Sequence, residues 1–184
     1  IPSAPGKRFS KDFKVTDLLY LCHAHVNSSI PLDDVFKLIC ERYHSIVNEL
    51  DLSLDLDYYL NIIKNDIENG ASADYTASRG EYLNGIILAN YLGIDFVDAK
   101  DVIKFNKYGT LNLEETYKLL QDKLSNHERA VIPGFYGSDE NGEIVTFSRG
   151  GSDVTGALVA ASINACLYEN WTDVSGFLMA DPRI

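Results

Sequence analysis

Apolar residues recur at spacings of three and four through the first half of the chain, which predicts amphipathic helices. Gly70 and Gly93 follow two of these periodic stretches and are natural helix stops. The third stretch alternates Asp with Leu before it becomes helical. The four predicted helices fall within residues 15–26, 31–50, 51–70 and 72–92.

The second half alternates short apolar runs with helical patterns. Asn112 and Glu115 form a capping-box-like opening for one helix. The pattern predicts strands within 94–105, 129–137, 138–148 and 166–177, and helices over 112–126 and 153–164. Such alternation predicts an α/β protein, a three-layer α/β/α sandwich with a mostly parallel central sheet.

Composition narrows the class of protein. The 184 residues are 46% hydrophobic and 23% charged, as expected of one globular domain. A formal net charge of -11 disfavours nucleic-acid and anionic-membrane partners. Cys22, Cys40 and Cys166 lack metal-like spacing and suit reduced thiols. With no apolar run of membrane-spanning length and no signal peptide, we expect a cytoplasmic protein.

A glycine-rich loop in the C-terminal part carries the clearest candidate chemistry. Arg149 offers a fork of donors to an anion, and Gly150 and Gly151 allow a ligand close to the backbone. The loop precedes a predicted helix whose N-terminus favours an anion. Neither GxGxxG nor GxxxxGK[ST] occurs, so a nucleotide would need another loop.

Two groups of residues could be taken for metal sites, but a purely structural role explains each of them better. Asp51, Asp55 and Asp57 have the residue type for calcium, but acidic residues are also favoured at a helix entrance. His23 and His25 are two positions apart and point to different helix faces. The identity of any metal ligands stays unknown.

Four ordered motifs resemble the catalytic domain of aspartate kinases, which has the amino-acid kinase fold. "ASRGEYLNGIILANYL" is similar to that family's Ser-x-Gly-Glu helix, and "VIPGFYGSDENGE" to its Gly-Phe-x-Gly loop. The other two motifs are "PSAPGKRFSKDFKVTDLL" and the run from 147 to 184 that contains "SRGGSD". The resemblance covers almost the whole chain.

The chain departs from this family at both ends. It lacks the first strand with its Lys-Phe-Gly-Gly-Ser loop and the C-terminal regulatory ACT domains. Ser148 stands where the family usually has Gly. We therefore expect residues 1–184 to be an N-terminally truncated kinase domain from a longer protein, with little activity by itself.

The resemblance implies ATP-dependent phosphorylation of L-aspartate to 4-phospho-L-aspartate, the entry to lysine, threonine and methionine biosynthesis. It implies Mg2+ as cofactor and a homo-oligomeric parent protein. Other kinases of the fold, which act on acetylglutamate, glutamate, carbamate or uridylate, and a non-catalytic fragment are the alternatives. Glu81 favours a substrate with a free amino group.

The resemblance also implies roles for individual residues. Arg149 would hold the substrate's α-carboxylate, as a binding and catalytic residue, and Glu81 would pair with its ammonium. Asp153 would be catalytic, and would either orient the catalytic lysine or help to organise the metal and phosphate cluster. Ser3, Thr16, Phe135 and Ser152 would line the substrate pocket, and Gly150, Gly151, Thr172, Asp173 and Arg183 would bind ATP. The residues themselves add one inference: a glycine inside a helix weakens it, so we expect Gly80 to let another element pack closely, which suits a Glu81 side chain that faces the pocket.

Overall fold

A computed structural model describes residues 1–148 and 150–171 of the chain. The described part contains seven helices and four short strands. In chain order they are α1 (Val15–Asn27), α2 (Asp33–Glu49), α3 (Leu56–Glu68), α4 (Ala73–Leu92), β1 (Asp95–Phe96), α5 (Ala99–Val102), α6 (Leu113–Leu124), β2 (Ala130–Val131), β3 (Tyr136–Ser138), β4 (Ile144–Thr146) and α7 (Gly151–Ser162).

The first four helices enclose one hydrophobic core, as their apolar spacing predicts. Leu19, Ile39, Ile63 and Leu83, one from each helix, are almost completely buried in it. The long helix α4 packs against both α1 and α3 and runs toward the strands. It therefore joins the helical half of the domain to the half that contains the strands.

Local signals place the helix ends where the sequence predicts. The Asp55 carboxylate accepts a hydrogen bond from Tyr58 N, and Ser72 Oγ accepts one from Tyr75 N. Gly93 ends α4 in the left-handed conformation, with φ +62°. Asp55 is thus a helix cap, and residues 1–148 and 150–171 contain no cluster of three or more side chains able to hold a metal. The calcium reading finds no support among them.

The strands form one parallel pair and one antiparallel hairpin in the described part. β1 pairs in parallel with β2, with Asp95 opposite Ala130, and β3 pairs antiparallel with β4, with Gly137 opposite Val145. A second core, between these strands, α6 and α7, includes Ile103, Leu120, Ile132 and Tyr136. The α/β class predicted from the sequence is confirmed.

Several boundaries differ from the prediction. The turn expected near Asp98 is the short helix α5, because the Asp98 side chain caps it by accepting from Lys100 N. The strand expected over 129–137 is divided into β2 and β3, with Pro133 and Phe135, at φ +78°, between them. Helix α7 begins at Gly151 rather than Asp153.

The segment after α7 also differs from the prediction. Residues 166–171, expected to begin a strand, have no regular structure.

None of the helices in the described ranges is both long enough and apolar enough to span a bilayer.

Candidate active site

A cleft of about 410 Å³ lies between the N-terminal residues, the start of α7 and the segment after α7. It brings together Ser3, Ser152 and Asp153, three of the residues predicted from the sequence. Its lining is Ile1, Pro2, Ser3, Ser152, Asp153, Tyr168, Glu169, Asn170 and Trp171. Segments far apart in the sequence therefore meet at the N-terminus of α7.

The Gly134–Phe135 loop packs directly on the first turn of α7. A Cβ atom on Gly134 would lie 2.6 Å from Ser152 Cα, and one on Gly151 would lie 2.7 Å from Phe135 Cα. Phe135 has φ +78°, which is unusual for an aromatic residue, and its carbonyl accepts a hydrogen bond from Phe147 N at 2.9 Å. The backbones of the two glycine-rich loops predicted from the sequence are thus in direct van der Waals contact.

The N-terminus of α7 has the character of an anion site. Gly150 is its cap, with φ +55°, and no side chain of a described residue caps the helix. The first-turn N–H groups and the helix dipole therefore favour a negatively charged ligand. Asp153 is exposed in this turn, and its Oδ1 atom accepts a hydrogen bond from Asn170 Nδ2 at 3.2 Å. Its Oδ2 atom makes no hydrogen bond to a described residue.

Glu81 is a buried carboxylate on α4. Only 6% of the residue is exposed, and its Oε2 atom has no hydrogen-bond partner among the described residues. Burial raises the pKa of Glu81 to about 7, although a hydrogen bond from the Ala4 backbone and the charge of Arg79 oppose the rise. Glu81 forms no ion pair with any described residue.

Gly80 fixes the environment of Glu81, as the sequence predicts. A Cβ atom at Gly80 would lie 2.8 Å from Ala4 Cβ and 3.5 Å from Val15 Cγ1. The N-terminal segment can therefore reach α4 only because residue 80 has no side chain. Gly80, which precedes Glu81, therefore packs against Ala4, and the neighbour of Ala4, Ser3, lines the cleft.

Two side chains that hold the site together were not foreseen from the sequence. Asn84 Nδ2 donates to the Ser3 carbonyl at 2.6 Å, and Tyr43 Oη donates to the Gly80 carbonyl at 2.6 Å. Asn84 lies three positions after Glu81, so helical spacing could have placed the two on one face. No local signal points from Tyr43 to Gly80.

The remaining predicted residues are distributed as follows. Thr16 lies in the first turn of α1 and is not among the described residues that line the cleft. Phe135 and Glu81 do not line it either, but both contact elements that do. Gly150 and Gly151 lie at the start of α7. Arg149, Thr172, Asp173 and Arg183 lie outside the described residues.

Comparison with known proteins gives a family for this arrangement. The profile of the amino acid kinase family matches residues 37–184, which is more than half of the chain. Aspartokinase 3 of Bacillus subtilis is 33% identical over 196 aligned positions, which include 99% of this chain and 43% of that protein.

Solved structures agree with the sequence comparison. The crystal structure of Clostridium acetobutylicum aspartate kinase superimposes with a TM-score of 0.93 at 63% identity, over 100% of this chain and 42% of that one. E. coli aspartokinase III in complex with aspartate and ADP gives a TM-score of 0.75 at 22% identity, over 92% of this chain and 42% of that one, which supports the fold. The chain thus spans less than half the length of these relatives. On the family profile and the fold together, this chain belongs to the amino acid kinase family.

Proposed function

We propose that the protein that contains this chain transfers the γ-phosphoryl group of ATP to the side-chain carboxylate of L-aspartate. The observation that carries the proposal is the buried Glu81 carboxylate, whose Oε2 atom has no partner among the described residues. The family membership sets the reaction class, and Glu81 favours a substrate with a free amino group, such as L-aspartate, over an N-acylated or nucleotide substrate. Relatives named for aspartate kinase activity support the same choice.

An ammonium group is the partner that Glu81 requires. A buried carboxylate is costly unless it is paired, and its pKa near 7 reflects that cost. A substrate ammonium would compensate the charge and lower the pKa again. An N-acylated amino acid carries no such charge, so an acetylglutamate kinase would gain nothing from an acid at this position.

The N-terminus of α7 supports an assignment for the phosphate end. Its N–H groups have no side-chain cap from a described residue, and Gly150, where an added Cβ atom would lie 3.8 Å from Asp153 Oδ2, leaves room for a ligand at the backbone. We place the substrate α-carboxylate on Arg149 and the ATP phosphates near Thr172, Asp173 and Arg183. These four assignments follow the family's motifs.

Little covalent chemistry is required of the protein. The attacking carboxylate is already ionised at neutral pH, so the site must align it with the phosphoryl group and neutralise charge on the phosphoryl oxygens. Ser3 and Ser152 border the cleft and are suited to orient the amino acid. Asp153 presents an exposed carboxylate of the kind that holds Mg2+ together with nucleotide phosphates, and the bound ion would neutralise phosphate charge.

Trapping of the acyl phosphate with hydroxylamine tests the proposal. The whole protein would be incubated with ATP, Mg2+ and, separately, L-aspartate, L-glutamate or N-acetyl-L-glutamate. We expect the hydroxamate to form with L-aspartate alone. Hydroxamate formation with N-acetyl-L-glutamate instead, or with none of the three, would refute the aspartate assignment and leave the fold unchanged.

A further inference from the structure

The buried guanidinium of Arg79 lies among tyrosine rings rather than in an ion pair. Its Cζ atom is 4.4 Å from the ring centre of Tyr75, 4.5 Å from that of Tyr82 and 5.3 Å from that of Tyr136. The residue is only 5% exposed. None of the ion pairs within residues 1–148 and 150–171 includes Arg79. Its charge is therefore compensated by ring quadrupoles and not by a carboxylate in contact.

The hydrogen bonds of Arg79 leave one side of its fork free. The Nε atom donates to the Tyr75 carbonyl at 3.3 Å and to Ser78 Oγ at 3.1 Å, and Nη2 donates to Ser78 Oγ at 2.9 Å. Nη1 makes no hydrogen bond to any described residue. A guanidinium that is removed from water and only partly hydrogen-bonded is a strong site for an added acceptor.

A cavity of about 320 Å³ between α3 and α4 borders this guanidinium. Tyr58, which is 59% exposed, lies at its outer part, and Arg79 lies at its inner part. The volume is at the lower end of the range typical of small-molecule sites. Its lining includes Tyr58, Tyr59, Ile62, Tyr75, Arg79 and Tyr82.

The neighbouring acidic groups are already engaged elsewhere. The Tyr75 hydroxyl donates to the Asp66 carboxylate, and the Tyr136 hydroxyl donates to Asp98 at 2.8 Å. These tyrosines therefore stand between the two carboxylates and Arg79. The carboxylates also lower the local positive potential, so a bound anion would need direct hydrogen bonds to the guanidinium rather than long-range attraction.

We propose that this cavity binds a small carboxylate with a flat apolar body. The Arg79 fork matches a carboxylate, and the rings of Tyr59 and Tyr82 offer flat surfaces to the rest of the ligand. Arg79 and Glu81 are two positions apart on α4 and so point to different faces of that helix. The cavity is therefore separate from the site proposed for aspartate, and the inference stands without it.

Calorimetric titration of the whole protein that contains this chain with sodium benzoate tests the proposal. Benzoate supplies a carboxylate on a flat ring, benzamide is its neutral analogue, and inorganic phosphate tests for an anion without the apolar body. We expect saturable binding of benzoate only. Arg79→Met should weaken benzoate binding by about tenfold or more, because a charge-assisted hydrogen bond is lost. Arg129→Met, the same change at an exposed arginine, should leave it unaltered.

A second variant keeps the test valid if Arg79→Met fails to fold. Ile62 lines the cavity and is 42% exposed, so Ile62→Trp should fill the cavity without contact loss in the core. Circular dichroism would establish that each variant is folded. The proposal fails if benzoate does not bind, if benzamide or phosphate binds equally well, or if folded Ile62→Trp binds benzoate as the unaltered chain does.

Discussion

Gly134 lies against Ser152 so closely that an added Cβ atom would be 2.5 Å from Ser152 Oγ and 2.6 Å from Ser152 Cα. The backbone of one loop therefore rests on the backbone of the first turn of α7. Because Ser152 lines the cleft, the position of a predicted substrate contact depends on a residue that has no side chain. Glycine is required at position 134 because a side chain there would overlap with Ser152.

Gly134→Ala should therefore destabilise the domain. A methyl group inside van der Waals distance of backbone forces the loop and α7 apart, and overpacking of this kind costs about 1–3 kcal/mol. Urea unfolding of the variant and the unaltered chain measures the loss. Gly6→Ala is the matched control, since a Cβ atom at Gly6 would have no atom within 4 Å. Equal unfolding midpoints for Gly134→Ala and Gly6→Ala would contradict the packing argument.

Local interactions made much of the fold predictable. The Asn112 cap with Glu115, the Ser72 opening of α4 and the stop at Gly93 each depend on residues within four positions, so sequence spacing reveals them. Gly80 could also be interpreted correctly, because a glycine inside a helix is costly unless something packs against it. The buried faces of the helices could also be predicted, because apolar residues three and four positions apart lie on one side of a helix.

Contacts between distant segments were not predictable. Asn84 and Ser3 are 81 positions apart, and Tyr43 and Gly80 are 37 apart, yet both pairs hold the site. The positive φ of Phe135 also has no sequence signal, since an aromatic residue rarely adopts it without support from its surroundings. The motifs identified Glu81, but only the packing reveals that its carboxylate is buried without a partner in the described part.

Tyr43→Phe should lower the stability of α4 at the site. Tyr43 is completely buried and donates its hydroxyl to the Gly80 carbonyl at 2.6 Å. Loss of the donor leaves that carbonyl without this bond, at a cost of about 1–2 kcal/mol. Chemical denaturation would measure it, with Tyr91→Phe, at a tyrosine that is 55% exposed, as the control. A Tyr43→Phe variant as stable as the Tyr91→Phe control would show that the hydrogen bond contributes nothing.

The protonation of Glu81 should couple stability to pH. Burial raises its pKa from 4.5 to about 7. Between these two pH values Glu81 is therefore protonated in the folded state and ionised in the unfolded state. That contribution is complete below pH 4.5 and is lost as pH rises through 7, by roughly 3 kcal/mol in all. Glu81→Gln cannot titrate and should lack this loss.

The measurement is the unfolding free energy of both proteins at several pH values between 4.5 and 8. The difference between them isolates residue 81, because the other titrating groups are common to both. We expect the unaltered chain to lose stability relative to Glu81→Gln as pH rises. A difference that stays constant, or that changes in the opposite direction, would contradict a raised pKa for Glu81.

Glu81→Gln should also separate the two substrates of the proposed kinase reaction. If Glu81 pairs with the aspartate ammonium, its loss removes a buried charge pair and lowers kcat/KM for aspartate by about a hundredfold, while the KM for ATP changes little. The pair needs an ionised Glu81, so the KM for aspartate in the unaltered protein should rise as pH falls below about 7. This rise should be absent in Glu81→Gln. Asn90→Asp, at an exposed position nine residues further along the same helix, is the comparison for a nonspecific disturbance of α4. A variant in which the KM values for aspartate and ATP rise together would place Glu81 in the structure of the domain rather than on the substrate.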